Sequence, residues 1–81
     1  MSDLGAILQQ SRNQVGLTVA ELWLRYFSLG GMRTPLEVDA IVHGALSPSE
    51  LDYDILAHAI NERFLELGGD HPVPYSDSDP A

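Results

Sequence analysis

The chain contains no cysteine and no lysine, and its four cationic side chains, all arginine, stand against twelve carboxylates. The first absence excludes a disulfide framework and the usual zinc fingers, so a metal could be held only by histidine and carboxylate. The second leaves little to neutralise phosphates, which supply much of the affinity of any duplex-binding protein. Also missing is an apolar run approaching the ~20 residues of a membrane-spanning helix. The opening stretch, MSDLGAILQQ, has neither the basic flank nor the long apolar segment of a secretion signal. The expectation is a soluble, cytoplasmic protein. There is no glycine-rich phosphate loop, serine elbow or thiol nucleophile. A small domain also offers little pocket in which to shift a carboxylate pKa. Neither enzymatic activity nor a cofactor is expected.

What is present bounds the answer further. Eighty-one residues make one domain with a thin core, burying roughly 60% of the surface of the unfolded chain. An apolar fraction of 44% is ordinary for a globular protein and argues against wholesale disorder. Charge is unevenly spread. Residues 1–33 carry Arg12, Arg25 and Arg33 against Asp3 and Glu21, whereas residues 34–81 set ten acids against Arg63 alone. That asymmetry disfavours phosphate-rich partners for the second half and suits either a basic protein partner or simple solubility.

Punctuation along the chain marks helices, and no stretch alternates as a sheet would. The first helix is expected from Ser2 or Asp3 to Val15, with Leu4, Ile7, Leu8, Ser11 and Val15 on one face and Gly16 as its stop. Thr18 and Glu21 have the spacing of a capping box, in which each side chain satisfies the other residue's backbone amide. The second helix then runs to about Leu29. Thr34-Pro35-Leu36-Glu37 repeats the device, with proline where no amide donor is needed; this third helix reaches His43, with Gly44 as its stop. Ser47-Pro48-Ser49-Glu50 reads as a third box, opening a longer helix that ends near Leu67. The fold class expected is therefore all-α, a small four-helix bundle over residues 1–68. Residues 69–81, GDHPVPYSDSDPA, read as an extended or disordered acidic tail, in which Val73 and Tyr75 could pin the first part to the bundle.

Leu4, Leu8 and Arg12, then Gly16-Leu17-Thr18, then Glu21, Leu22 and Tyr26, resemble the pattern of the Xre/Cro-type helix-turn-helix family. The segment HGALSPSELDYDILAHAI resembles the turn and helix that follow its recognition helix, so the likeness spans residues 4–61. It implies a compact bundle of four or five helices. The departures concern the DNA contacts. SLGGMR is longer than the tight turn of the motif. PLEVDAIVH, which would enter the major groove, carries Glu37 and Asp39 but none of the Arg, Lys, Asn or Gln that read base edges. The residue mix, lysine-free and rich in Ala, Leu, Gly and Asp, also resembles that of small proteins from high-GC actinobacteria, which implies no activity.

The second helix carries more apolar surface than one core face requires. Val19, Leu22, Tyr26 and Leu29 form an inward stripe bordered by Trp23; Ala20, Leu24 and Phe27 lie on the other side. In the family pattern the slots of Val19 and Leu24 are polar. Either this helix is covered all round, or Leu24, Phe27 and Met32 form a contact patch. On the fourth helix Tyr53, Leu56, Ala57, Ile60, Phe64 and Leu67 form the core stripe, with Asp52, Asp54, Glu62 and Glu66 away from it. Glu62 and Glu66, four apart without a lysine between, should repel mildly. His58 and Glu62 have metal-ligand spacing but lack a third ligand; neither His43 nor His71 is placed beside them. Asp52-x-Asp54 and Asp77-x-Asp79 do not continue into a calcium loop and read as solvated acids.

The resulting expectation is a small acidic protein–protein interaction module, regulatory in role, on a helix-turn-helix-like scaffold without DNA contacts. Its partner-binding residues would be Trp23, Leu24, Phe27 and Met32, with Glu37 and Asp39 steering a basic partner; a homodimer is the other occupant considered. The alternative is a dimeric DNA-binding transcriptional regulator acting through Arg12, Arg25 and Arg33.

Overall fold

Thr18 accepts the backbone N–H of Glu21 at 3.1 Å and Glu21 accepts that of Thr18 at 2.9 Å, so the box expected there closes on both sides. Thr34 and Glu37 do the same at 3.2 and 2.9 Å, with Pro35 in the first turn. In the computed structural model, which describes residues 4–69 and 73–74, these caps open two of four helices. They are α1 (Leu4–Gln14), α2 (Val19–Ser28), α3 (Pro35–Val42) and α4 (Glu50–Glu66), with no strand among the described residues. Gly16 and Gly44 stop α1 and α3 with φ of 71° and 81°, a left-handed geometry that a Cβ would disfavour.

The start of α4 corrects the expectation. Two overlapping registers were available, Ser47 with Glu50 and Ser49 with Asp52. The second is used: Ser49 is extended and accepts the N–H of Asp52 at 3.1 Å. Its advantage is tertiary, because in that register the Asp52 carboxylate also meets Arg33 and Tyr26.

α1 and α2 each pack against both α3 and α4. Leu8, Leu22, Tyr26, Val38, Ile41, Leu56, Ala57 and Ile60 are fully enclosed between them. The inward stripes of α1 and α2 therefore fall where helical periodicity put them. On α4 the stripe differs in two ways. Leu67, the residue capping its C-terminus, is exposed, and Ala59 and Asn61 are buried instead.

Asn61 is only 3% exposed, and its partner comes from beyond the helices. Its side-chain amide donates to the Val73 carbonyl at 3.0 Å while its carbonyl oxygen accepts the Val73 N–H at 3.0 Å. Tyr53 donates to the Pro74 carbonyl at 2.7 Å. Val73 joins the core at 2% exposure, so the first part of the tail is pinned to the bundle through one of the two residues considered for that role. Tyr75, Asp77 and Asp79, like Ser2, Asp3 and His71, lie outside the described residues.

Gly31 is buried against the ring of Tyr26, and a Cβ there would overlap the ring itself. Gly31→Ala is expected to lower stability by ~1–3 kcal/mol, the usual cost of overpacking. The check is a lower urea midpoint at unchanged m-value, which separates lost stability from a change in the unfolded chain.

Candidate interaction surface

α2 has two faces. Leu22 and Tyr26 point inward and are wholly buried, while Leu24 and Phe27 are 59% and 58% exposed. Of the two possibilities left open by the sequence, the helix is not covered all round. Trp23 lies between the faces and stacks on Phe27, with ring centroids 5.1 Å apart and planes 19° from parallel. Its indole N–H donates to the Arg33 carbonyl at 2.8 Å. That bond ties the 29–34 connection to the Trp23 edge of α2, and Met32, next to the tied residue, is 92% exposed. Trp23, Leu24 and Phe27 thus share one helix, and Met32 is held on the segment anchored to it.

The connection is shaped by a polar knot that sequence reasoning missed. The Tyr26 hydroxyl accepts the N–H groups of Met32 and Arg33 at 3.1 and 2.9 Å and donates to Asp52 at 2.8 Å. The other Asp52 oxygen accepts from Arg33 Nε at 2.9 Å and from the Ser49 hydroxyl at 3.0 Å. Arg33 Nη1 then reaches Glu37 at 3.2 Å. Asp52 is accordingly no solvated acid. Burial pushes its pKa up, but the bonds from Arg33, Tyr26 and Ser49 together outweigh burial and hold it below the usual aspartate value. Burial, with the Asp52 bond, raises the Tyr26 hydroxyl and keeps it protonated as the donor.

The two acids expected to steer a partner sit differently from the aromatic group. Glu37 is committed to its cap and to Arg33, and its pKa is lowered by the Thr34 backbone bond first. Asp39 lies on α3 with one carboxylate oxygen 3.3 Å from His43 Nδ1. Through Arg33, Glu37 is tied to the residue that follows Met32 and whose carbonyl holds Trp23.

Every arginine points its charge inward or along the surface of its own fold. Arg12 donates to the Leu17 carbonyl at 2.7 Å and to Gln9. Arg25 grips Glu66 with two bonds of 2.8 and 2.7 Å and lies 3.9 Å from Glu62. Arg63 reaches Glu66 at 3.3 Å. The expected repulsion between Glu62 and Glu66 is therefore absent, because Arg25 from α2 stands between them. The Arg25 hydrogen bond lowers the Glu66 pKa to about 2.

His58 Nε2 is 3.6 Å from Glu62, the pairing its spacing suggested. No three histidines or carboxylates among the described residues are grouped to hold a metal. A groove of 710 Å³ runs between α1 and the end of α3, lined by Gly5, Gln9, Asn13, His43 and Pro48 among others. Amides and aliphatic groups dominate it, and no carboxylate or arginine lines it.

These elements define an all-α domain of four helices whose second helix leaves an aromatic face uncovered. No family model, curated protein or solved structure matches the chain.

The knot and the Arg25–Glu66 pair make stability acid-sensitive. Asp52, Glu37 and Glu66 have folded pKa values below their unfolded ones, so the unfolded chain takes up protons first. Their contribution is complete above about pH 5 and is lost progressively as pH falls below about 4, towards the folded values. Melting temperature followed by circular dichroism is expected to be flat from about pH 7 to 5 and to fall steeply below. Asp52→Asn should melt lower at pH 7 and lose less on acidification.

Proposed function

We propose that the protein is a small acidic interaction module with a regulatory role, docking a heterologous protein through Trp23, Leu24, Phe27 and Met32. One observation carries this reading: Leu24 and Phe27 stay solvent-exposed on a helix whose opposite face is fully buried. Aromatic and methionine side chains are enriched in the cores of protein interfaces. A formal charge of −8 disfavours a second copy and favours a partner with a basic rim, through mutual repulsion in one case and attraction in the other. Glu37 and Asp39 contribute to that field. On this reading the protein acts in the cytoplasm. No helix among the described residues is long and apolar enough to cross a membrane.

The resemblance to Xre/Cro-type proteins keeps DNA binding as the competing reading. Against it stand the commitments of Arg12, Arg25 and Arg33, each already bonded within the fold. Phosphates would have to displace those partners.

Phe27→Asp tests the surface. It should preserve helicity and cost at most ~1.5 kcal/mol, the scale of a lost aromatic stack. A partner identified by mass spectrometry and then purified should bind the variant about tenfold more weakly or worse, a loss of ~1.4 kcal/mol. Equal binding by the two proteins would sink the assignment, as would a wild-type dimer in solution that Phe27→Asp dissociates. Titration with mixed duplex DNA at low salt decides the competing reading: tight binding that collapses with added salt is the signature of phosphate contacts and would replace ours.

A further inference from the structure

The groove between α1 and the end of α3 is open and shares no residue with the α2 surface. Gly5 fixes where it begins. A Cβ at that position would stand 2.5 Å from the Ile41 carbonyl oxygen, so the two helices meet there with no side chain between them. From this contact the groove follows α1 to Asn13, about 12 Å along the helix axis. Its volume of 710 Å³ falls within the ~300–1,000 Å³ of small-molecule pockets. Being pinched at the Gly5 end, it suits a compact occupant better than a chain that passes through.

Two polar groups of the lining are oriented before anything binds. Arg12 donates from Nε and Nη2 to Gln9 Oε1 at 2.9 and 2.8 Å, while its Nη1 is anchored on the Leu17 carbonyl at 2.7 Å. The oxygen of the Gln9 amide is thereby occupied. Its NH2 group, with two N–H to donate, has no partner among the described residues. His43 Nδ1 lies 2.8 Å from the Asp39 carbonyl oxygen and 3.3 Å from one oxygen of its carboxylate. Both oxygens only accept, so the proton sits on Nδ1 and Nε2 of the neutral ring is left as an acceptor.

A chain of formal charge −8 thus lines one groove without a carboxylate or an arginine, and adds apolar groups from Leu46 and Pro48. A small ion gains no opposite charge there when His43 is neutral. A neutral group that both accepts and donates gains two partners, and a carboxamide does so from adjacent atoms. We propose that this groove binds an uncharged small molecule whose carboxamide accepts from Gln9 Nε2 and donates to His43 Nε2, with its apolar body against Leu46 and Pro48. The inference stands independently of the proposed function.

The test follows amide resonances of the full chain during titration with three probes of one shape. Benzamide carries both acceptor and donor, acetophenone has methyl in place of the NH2, and benzoate is an anion without a donor. At about pH 8, where an ordinary histidine is neutral, benzamide should move the signals of Gln9, Asn13 and His43. Its affinity should be in the millimolar range expected of so small a molecule. The other two probes should bind about fivefold more weakly or worse, the size of one hydrogen bond. Gln9→Glu keeps the Arg12 contact, because a carboxylate accepts the same two bonds, but it has no donor left to offer. It should fold and lose benzamide by about fivefold or more. Should it fail to fold, His43→Phe removes the opposite partner and is expected to show the same loss. The proposal is overturned if benzamide moves none of those signals, or moves those of Trp23 and Phe27 instead. It is overturned equally if acetophenone or benzoate binds as well as benzamide, or if the folded variant binds benzamide like wild type.

Discussion

One phenol hydroxyl holds the arrangement together. Tyr26 OH is bonded to the backbone of Met32 and Arg33 and to the carboxylate of Asp52, and through them it connects α2, the start of α3 and the start of α4. Arg33 lies immediately before the Thr34 cap and bonds the capping residue Glu37. Asp52 is the third residue of α4 and satisfies the Ser49 cap. Two helix N-termini are thereby positioned by a side chain from a third helix. Such networks stabilise when every member is satisfied and become costly when one is missing, since a buried polar group left alone loses ~1–3 kcal/mol. Among the described residues no buried side-chain polar atom lacks a partner.

The knot also explains why α2 remains uncovered. With Arg33 held by Tyr26 at its N–H, by Trp23 at its carbonyl and by Asp52 at its guanidinium, the 29–34 connection is fixed at three points. It lies along the Trp23 edge and has no slack to fold over Leu24 and Phe27. The same bonds remove Arg33 from the surface charge, as Glu66 removes Arg25 and Arg63. A chain already short of cations therefore spends them on its own architecture. The apolar face and the acidic field have one origin in that economy.

What could be read from the residues alone divides by sequence distance. Caps and glycine stops are local: Thr18 with Glu21, Thr34 with Glu37 and Gly16 act within a few residues, and periodicity places the stripes of α1 and α2. Side-chain partners that came from afar were not legible in the same way, although the seating of Val73 on the bundle was considered. Glu62 and Glu66 look like a repulsive pair because Arg25 is 41 residues from Glu66. Asp52 looks solvated because Tyr26 and Arg33 are 26 and 19 residues away, and that same pull selects Ser49 over Ser47 as the cap. Asn61 left a trace that could have been followed. It stands four residues after Ala57 and three before Phe64, so helical geometry puts a polar amide on the apolar face. Such a residue needs a partner, and the only unassigned chain was the segment after Gly69. The exposure of Leu24, Phe27 and Met32 could be narrowed to two possibilities but not chosen, because it depends on where the connection is tied.

The size of the aromatic face bears on the kind of association it can support. Three exposed apolar residues with one stacked tryptophan are few beside the roughly 20–30 residues a side of a standard stable complex. A contact of this size gains affinity from its central aromatic anchors and speed from charge. At physiological ionic strength the field of exposed carboxylates reaches about 8 Å before screening dominates. For the basic partner we propose, attraction would act only in the final approach, raising the rate of productive encounters without adding to the buried contact. Two copies of the chain meet the same field as repulsion. A brief, salt-sensitive association with a cationic surface is the physical regime that this combination of small apolar face and unbalanced acid favours.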